Sequence, residues 1–228
     1  MSAVSQIFKS TLGRKYLMAI SGVVLVLFII GHLAGNLQIF LGREAVNSYA
    51  AFLKSKPSLL WGARIGLLLM VGLHITVAVK LALENRAARP VRYEIPTAYR
   101  ASYASRTMIW SGVIIAAFVI YHLLHFTAGL VLSDFYQLKD SLGRHDVYGM
   151  MVRGFQSPLV SGFYVLAMAL LSLHLSHGVS SMFQSLGLKD RTYGPLIDRA
   201  ALIFAWLVFL GYVSIPLAVL FGWVQFEG

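Results

Sequence analysis

The stretch FIIGHLAGNLQIF, residues 28–40, places His32 inside a run of apolar residues. That run extends over residues 16–41, which is more than the ~20 residues a helix needs to cross a hydrocarbon core of ~30 Å. Moving an imidazole into hydrocarbon is costly unless its nitrogens find partners. A histidine at this depth therefore indicates a specific bond or a functional site.

The rest of the chain has the composition of a polytopic membrane protein. Hydrophobic residues make up 58% of its 228 residues, charged residues make up 12%, and the mean hydropathy is +0.73. Both proportions depart strongly from those of a soluble domain. Five apolar runs have the length of membrane-spanning helices: 16–41, 59–83, 108–132, 159–183 and 201–221.

We therefore expect an all-α membrane protein with five transmembrane helices, forming a single integral-membrane domain over residues 1–228. No short alternating segments indicate a barrel. The first run is too long for a signal peptide and lacks a small-residue cleavage site, so we expect it to be retained as a span.

Basic residues are distributed unequally between the two sides of these spans. Twelve of the 19 lysines and arginines lie on the side of the N-terminus. The positive-inside rule then places the N-terminus in the cytoplasm and the C-terminus outside. The net charge of +10 favours attraction to anionic lipid headgroups. The polar connection 84–107 is a candidate docking surface for a soluble partner. Nucleic acid is not an expected partner, because the cations are scattered between spans.

The chain contains no cysteine, which excludes Cys-ligated iron–sulfur clusters and covalently attached haem. Histidine is then the main available cofactor ligand. Six of the seven histidines lie in four of the predicted spans: His32, His74, His122, His125, His174 and His177. The seventh, His145, lies in a polar connection, and we expect it to be solvated.

Helix polarity sorts these histidines into two depths. At ~1.5 Å rise per residue, His32 and His122 lie ~21–24 Å from the cytoplasmic edge, and His74 and His174 lie ~22 Å from the outer edge. Axial coordination of a b-type haem needs one histidine from each of two facing helices. The sequence therefore predicts a four-helix haem-binding bundle with two haems, whose irons are separated by roughly 15 Å along the membrane normal.

Spacing alone leaves two questions open. The third and fourth spans each contain H-x-x-H, and residues three apart lie on nearly one helix face, so either histidine is a possible ligand. Four neighbouring histidines also suit zinc or copper, as in a histidine-lined metal-ion transporter. Such transporters typically have acidic residues in the pathway, and this chain has none at mid-membrane.

Together these residues resemble the five-helix, two-haem cytochrome b subunit of bacterial succinate:quinone oxidoreductases, the succinate dehydrogenases and fumarate reductases. The resemblance covers essentially the whole chain, through GHLAGN, REAVNSYAAFL, LHITVAV, VIYHLLH and LSLHLSHG. It implies that His32 and His122 ligate a distal haem, and that His74 and His174 ligate a proximal haem. His125 and His177 are then left with ordinary hydrogen bonds or with roles near the haems or the quinone.

The resemblance also implies a setting and partners. Such an anchor lies in the bacterial inner (cytoplasmic) membrane and binds a flavoprotein subunit and an iron–sulfur subunit on the cytoplasmic face. It transfers electrons between the iron–sulfur subunit and a membrane quinone, commonly menaquinone, and has no dicarboxylate active site of its own. A haem-bearing membrane subunit of another quinone-linked dehydrogenase, such as a hydrogenase or formate dehydrogenase, is the alternative.

Further expectations concern the quinone, the haem propionates and the fifth span. Quinone reduction takes up protons as well as electrons, and Glu44 and Asn36 near the outer end of the first span are the candidate quinone residues. Several cations near span ends are candidate partners of haem propionates or interfacial anchors: Arg14, Lys15, Arg64, Arg106, Lys189 and Arg191. We expect the fifth span to pack outside the haem bundle, with a kink at Pro216.

Overall fold

A computed structural model describes residues 10–88 and 103–226 of the chain. Within these ranges the regular secondary structure is helical, apart from one isolated bridge between Lys139 and His145. Five helical segments are long and apolar enough to cross a membrane: Thr11–Leu41, Pro57–Ala87, Arg106–Thr127, Pro158–Ser185 and Gly194–Leu220. The prediction of an all-α protein with five helices of this kind is confirmed. Most of the predicted docking connection, 84–107, lies outside the described residues.

We number the α-helices in chain order. They are α1 (Thr11–Leu37), α2 (Arg43–Lys54), α3 (Pro57–Ala87), α4 (Tyr103–His122), α5 (Ser133–Tyr136), α6 (Val147–Phe155), α7 (Pro158–Ser185) and α8 (Gly194–Leu220). A 3-10 turn, Gln38–Leu41, continues α1, and a π-helical turn, Leu123–Thr127, continues α4. The short helices α2, α5 and α6 lie in the connections between the long ones.

Proline determines where several long helices begin. Helices α3 and α7 start at Pro57 and Pro158, and α8 starts at Gly194 immediately before Pro195. Proline suits the first helical turn because its φ is already helical and the N–H that it lacks would have no partner there. Helix α8 therefore begins before the predicted residue 201, and it continues past Pro216 to Leu220.

The third span ends earlier than the predicted residue 132. After the π-helical turn the chain bends through Gly129, with φ of 64°, and Leu132, with φ of 53°. Residues in this left-handed conformation cannot continue a right-handed helix. The apolar residues after Thr127 therefore lie outside the helix although their composition is typical of a membrane span.

Contacts group the chain into two compact units, each assembled from separate stretches. The first unit comprises Met1–Phe28, Ile65–Gly112 and Leu173–Ala205, and the second comprises Ile29–Arg64, Val113–Ser172 and Trp206–Gly228. One predicted histidine pair falls in each unit. The description of the chain as a single integral-membrane domain stays a prediction.

The core of the second unit contains side chains from α4, α6, α7 and α8. Phe118, Val152, Tyr164 and Val219 are among its buried members. In the first unit, by contrast, large apolar side chains along α3 are exposed, such as Leu68 at 61%. An apolar surface of this kind suits a helix face that meets lipid tails.

A polar network in the second unit joins α2 to the start of α6. The side chain of Asp146 is fully buried and accepts hydrogen bonds from Arg43 Nη2 at 2.7 Å, Asn47 Nδ2 at 2.8 Å and the Gly149 N–H at 3.0 Å. The last bond caps the N-terminus of α6. Burial raises the pKa of Asp146, but the bonds from Arg43, Asn47 and Gly149 outweigh it and hold the pKa below its ordinary value.

Replacing this carboxylate is expected to destabilise the second unit. Asp146→Asn leaves Arg43 without its charged partner, which we expect to lower the free energy of unfolding by ~1–3 kcal/mol. Thermal unfolding of the detergent-solubilised protein measures the change. Glu44→Gln is the matched control, because the side chain of Glu44 is 71% exposed and an exposed ion pair contributes little. An unchanged thermal midpoint for Asp146→Asn would contradict this role.

The same carboxylate predicts a loss of stability in acid. Because the folded pKa of Asp146 lies below the unfolded value of ~3.9, its contribution is complete above that value and is lost as pH falls through the folded pKa. We expect the thermal midpoint to fall between about pH 5 and about pH 3. The fall should be smaller in Asp146→Asn, and equal slopes for the two proteins would argue against this assignment.

Candidate cofactor sites

Helices α1 and α4 bring His32 and His122 together in the second unit. The centroids of the two imidazole rings lie 5.8 Å apart, and the ring planes are 84° to one another. Phe118 stacks on His122 with a centroid separation of 5.9 Å. One predicted histidine pair is therefore adjacent in the structure.

Helices α3 and α7 bring His74 and His174 together in the first unit. Their ring centroids lie 6.5 Å apart with an interplanar angle of 59°. The backbone of Gly22 lies beside His74 and that of Gly112 beside His174, since a Cβ added at either glycine would lie 3.8 Å or 3.7 Å from the Cε1 atom of the ring. The second predicted pair is also adjacent.

Both separations fit two axial ligands of one metal. Imidazole nitrogens coordinate transition metals at ~2 Å, so two rings on opposite sides of a metal have centroids on the order of 6 Å apart. The observed values of 5.8 Å and 6.5 Å bracket this distance. The donor set of two neutral nitrogens also suits haem iron, which takes its other four ligands from the porphyrin.

Hydroxyl groups contact the Nδ1 atoms of three of these four rings. Ser21 Oγ lies 3.0 Å from His74 Nδ1, and Ser111 Oγ lies 3.2 Å from His174 Nδ1. In the second unit Tyr164 Oη lies 3.3 Å from His122 Nδ1. A histidine that ligates a metal through one nitrogen normally makes a hydrogen bond through the other, so these contacts suit ligation through Nε2.

His125 extends this hydrogen bonding in the second unit. It is 2% exposed, stacks on Phe126 at 3.9 Å and places its Nδ1 3.1 Å from Tyr164 Oη. Tyr164 thus lies between the two histidines of YHLLH. The π-helical turn Leu123–Thr127 contains His125, and such turns are frequent at functional sites.

The fifth membrane-length helix contributes to the surroundings of His32. The ring of Tyr212 on α8 lies 6.3 Å from that of His32, and its hydroxyl donates to the backbone carbonyl of Ile29 at 3.0 Å. A Cβ added at Gly211 would lie 2.9 Å from Leu33 Cδ2. The packing of this helix outside the haem bundle stays a prediction; within the second unit its glycine allows close approach to α1 beside His32.

The remaining histidines have other partners. His177 Nε2 lies 3.1 Å from Ser181 Oγ, one helical turn along α7. His145, which we expected to be solvated, is half-buried with its ring 4.9 Å from that of Tyr136. Burial and the neighbouring charge of Lys54 lower the pKa of His145.

The two candidate quinone residues make structural bonds. Glu44 accepts hydrogen bonds from Arg144 Nη2 at 2.6 Å and from Ser48 Oγ, and these bonds lower its pKa to about 2. It is therefore ionised at neutral pH and is a poor proton donor. Asn36 Nδ2 donates to the His32 carbonyl at 2.7 Å within α1. Their assignment to a quinone site stays a prediction.

Candidate propionate partners in the first unit are also paired with protein groups. Arg14 Nη2 lies 2.7 Å from Glu84 Oε1, and Lys189 Nζ lies 2.7 Å from Asp198 Oδ1. Lys189 also donates to Ser180 Oγ at 2.8 Å. These pairs join helices of the first unit, so the propionate role of both cations stays a prediction.

A metal ion held by several side chains needs those side chains to converge on one point. Across residues 10–88 and 103–226, no group of three or more histidine, aspartate or glutamate side chains is arranged to hold a metal ion. Structural zinc usually has four protein ligands, and catalytic zinc has three. Paired histidines are instead what a planar macrocycle with two axial positions requires.

Sequence reasoning missed Ser21, Ser111, Tyr164 and Tyr212. Each is a polar or amphipathic side chain inside an apolar span, and such residues tend to face other helices or a functional site. A polar residue within an apolar span can be recognised from the sequence alone. The partner of its hydroxyl cannot be, because that depends on how two helices are rotated about their axes.

The packing around His125 leads to a prediction about Gly154. A Cβ added there would lie 3.1 Å from His125 Nε2 and 3.2 Å from its Cε1. We expect Gly154→Ala to lower the free energy of unfolding by ~1–3 kcal/mol through overpacking. The measurement is thermal unfolding followed by circular dichroism. Gly162→Ala is the matched control, because a Cβ added there meets no heavy atom within 4 Å; equal midpoints for the two variants would refute the close packing.

Comparison of the chain with protein-family models, curated proteins and solved structures gives no match. The interpretation of the two sites therefore depends on the chain's own residues. The observations that bear on it are two adjacent histidine pairs, one in each unit, and hydroxyl contacts that leave Nε2 atoms for ligation.

Proposed function

We propose that this chain is the dihaem cytochrome b membrane anchor of a succinate:quinone oxidoreductase, with one haem b held in each unit. The observation that carries the proposal is the presence of two separate histidine pairs with ring centroids 5.8 Å and 6.5 Å apart. Hydrogen bonds alone would explain one pair of adjacent histidines. Two pairs with axial spacing, one in each unit, favour two copies of the same cofactor.

The chain's own residues hold and orient this cofactor. His32 and His122 would hold the haem iron in the second unit, and His74 and His174 would hold it in the first. Bound haem b would contribute a one-electron redox centre whose potential depends on axial ligands, hydrogen bonds to them and burial. The four histidines of the pairs are half-buried between apolar helices, and a site of low polarity suits electron transfer and limits side reactions.

The proposal also includes the membrane, the orientation of the chain and its partner subunits. The chain lies in a bacterial inner membrane with its N-terminus in the cytoplasm, in accordance with the bias of basic residues. A flavoprotein and an iron–sulfur subunit bind on that face and perform the dicarboxylate chemistry. The chain passes electrons between the iron–sulfur subunit and a membrane quinone, which the sequence resemblance suggests is menaquinone.

Haem content of the purified chain tests the proposal directly. The reduced-minus-oxidised absorption spectrum is expected to show two b-type haems per chain. His174→Ala should reduce this ratio to one, because the first unit then has a single axial ligand. His32→Ala should also reduce it to one by its effect on the second unit.

His177→Ala is the matched control for His174→Ala. It removes a histidine one turn away on the same helix, whose Nε2 lies beside Ser181 Oγ. We expect this variant to retain two haems. A wild-type chain without haem, or equal loss of haem in both variants, would contradict the proposal; stoichiometric zinc or copper in place of haem would favour the transporter alternative.

The electron donor separates the proposed complex from other quinone-linked dehydrogenases. In membranes that contain the chain with its partners, succinate is expected to reduce the haems, and formate or hydrogen is not expected to do so. Absorption at the haem α-band measures the reduction. Reduction by formate or hydrogen but not by succinate would assign the anchor to a formate dehydrogenase or a hydrogenase.

A further inference from the structure

We propose that Ser21 and Ser111 are positioning residues that fix the tautomer and ring orientation of His74 and His174, so that both rings direct Nε2 toward a shared metal. The inference rests on the proposed function, because it gives these serines a role at the haem of the first unit. It is argued from the hydrogen bonds of the two hydroxyls.

The hydrogen bonds of Ser21 determine the tautomer of His74. Ser21 Oγ donates to the Met18 carbonyl at 3.1 Å, and a serine hydroxyl has only one hydrogen to donate. The oxygen must then accept in its contact with His74 Nδ1 at 3.0 Å. His74 therefore has its proton on Nδ1, and its Nε2 keeps the lone pair that coordinates a metal.

The same arrangement recurs at His174. Ser111 Oγ donates to the Met108 carbonyl at 3.0 Å and lies 3.2 Å from His174 Nδ1. It too must accept from the imidazole, so His174 also presents Nε2. The exposed fractions of Ser21 and Ser111 are 0% and 4%, which means that water does not compete for either bond.

A short sequence repeat accompanies the two contacts. Ser21 and Ser111 each begin the tripeptide S-G-V, and in each case the glycine backbone lies beside the Cε1 atom of the same histidine that the serine contacts. Each serine also precedes a histidine of the other pair by 11 residues, from 21 to 32 and from 111 to 122. This spacing corresponds to about three turns of an α-helix.

A hydrogen bond from a serine to a backbone carbonyl does not by itself identify a positioning residue. Ser176 Oγ donates to the Leu173 carbonyl at 2.8 Å in the same unit, but Ser176 is only half-buried. Serines in helices often bond to a preceding carbonyl in this way. Ser21 and Ser111 differ because the same oxygen also contacts a histidine ring.

The test compares Ser21→Ala and Ser111→Ala with Ser176→Ala in the full chain loaded with haem. Redox titration gives the midpoint potential of each haem, and the haem-to-protein ratio gives retention. Loss of the acceptor makes the imidazole a weaker donor of electron density to ferric iron, so each of the first two variants should raise the potential of one haem and leave the other unchanged. Retention of that haem should weaken roughly 10-fold.

Ser176→Ala is expected to leave both potentials and both haems as in the wild type. Ser111→Thr keeps a hydroxyl and should restore a potential close to that of the wild type. If Ser21→Ala fails to fold, Ser111→Ala tests the same inference independently. A lower thermal midpoint without any change of potential would mean a structural role and would overturn the proposal.

The two proposals fail in different ways. A wild-type chain that contains no haem would refute the proposed function before any variant is made. Wild type with two haems, together with alanine variants of Ser21 and Ser111 whose potentials and retention are unchanged, would refute only the positioning role.

Discussion

Each imidazole within an apolar span must have a partner for its polar nitrogens, and much of the described structure follows from this constraint. An unpaired polar group in hydrocarbon costs several kcal/mol. At His74, His122 and His174 the structure supplies a hydroxyl to Nδ1 from a neighbouring helix. The second nitrogen, Nε2, still needs a partner for its lone pair. Coordination of a metal would satisfy it.

The two units meet this constraint in different ways. In the first, each histidine has its own serine, and each serine is anchored to a carbonyl of its own helix. In the second, one tyrosine lies between His122 and His125. If His122 ligates through Nε2, its Nδ1–H must donate a hydrogen bond to Tyr164 Oη. The tyrosine hydroxyl has one hydrogen and would then donate it in a hydrogen bond to His125 Nδ1. Hydrogen bonds to a metal ligand tune the metal, so under the proposed function these different partners would give the two haems different potentials.

Much of the fold could be predicted from the sequence because membrane spans require long apolar runs. The pairing of the first span with the third and of the second with the fourth followed from helix polarity and depth, which need no side-chain detail. The choice of His122 over His125 and of His174 over His177 came from the resemblance. The end of the third span could not be predicted. The residues around Leu132 are as apolar as those of a membrane span, but the backbone of Leu132 has a left-handed conformation that ends a helix. The partners of Tyr164 and Tyr212 depend on helix rotation, which composition does not encode.

The network between α2 and α6 has a structural explanation that also bears on the proposed quinone chemistry. Asp146 and Asn47 are buried and fully engaged in joining α2 to α6. Glu44 belongs to the neighbouring exposed ion pair with Arg144, and its low pKa keeps it ionised. A group that gives up its proton at about pH 2 holds none to donate to a quinone at neutral pH. Under the proposed function, Glu44 would therefore not be the residue that delivers protons to the quinone.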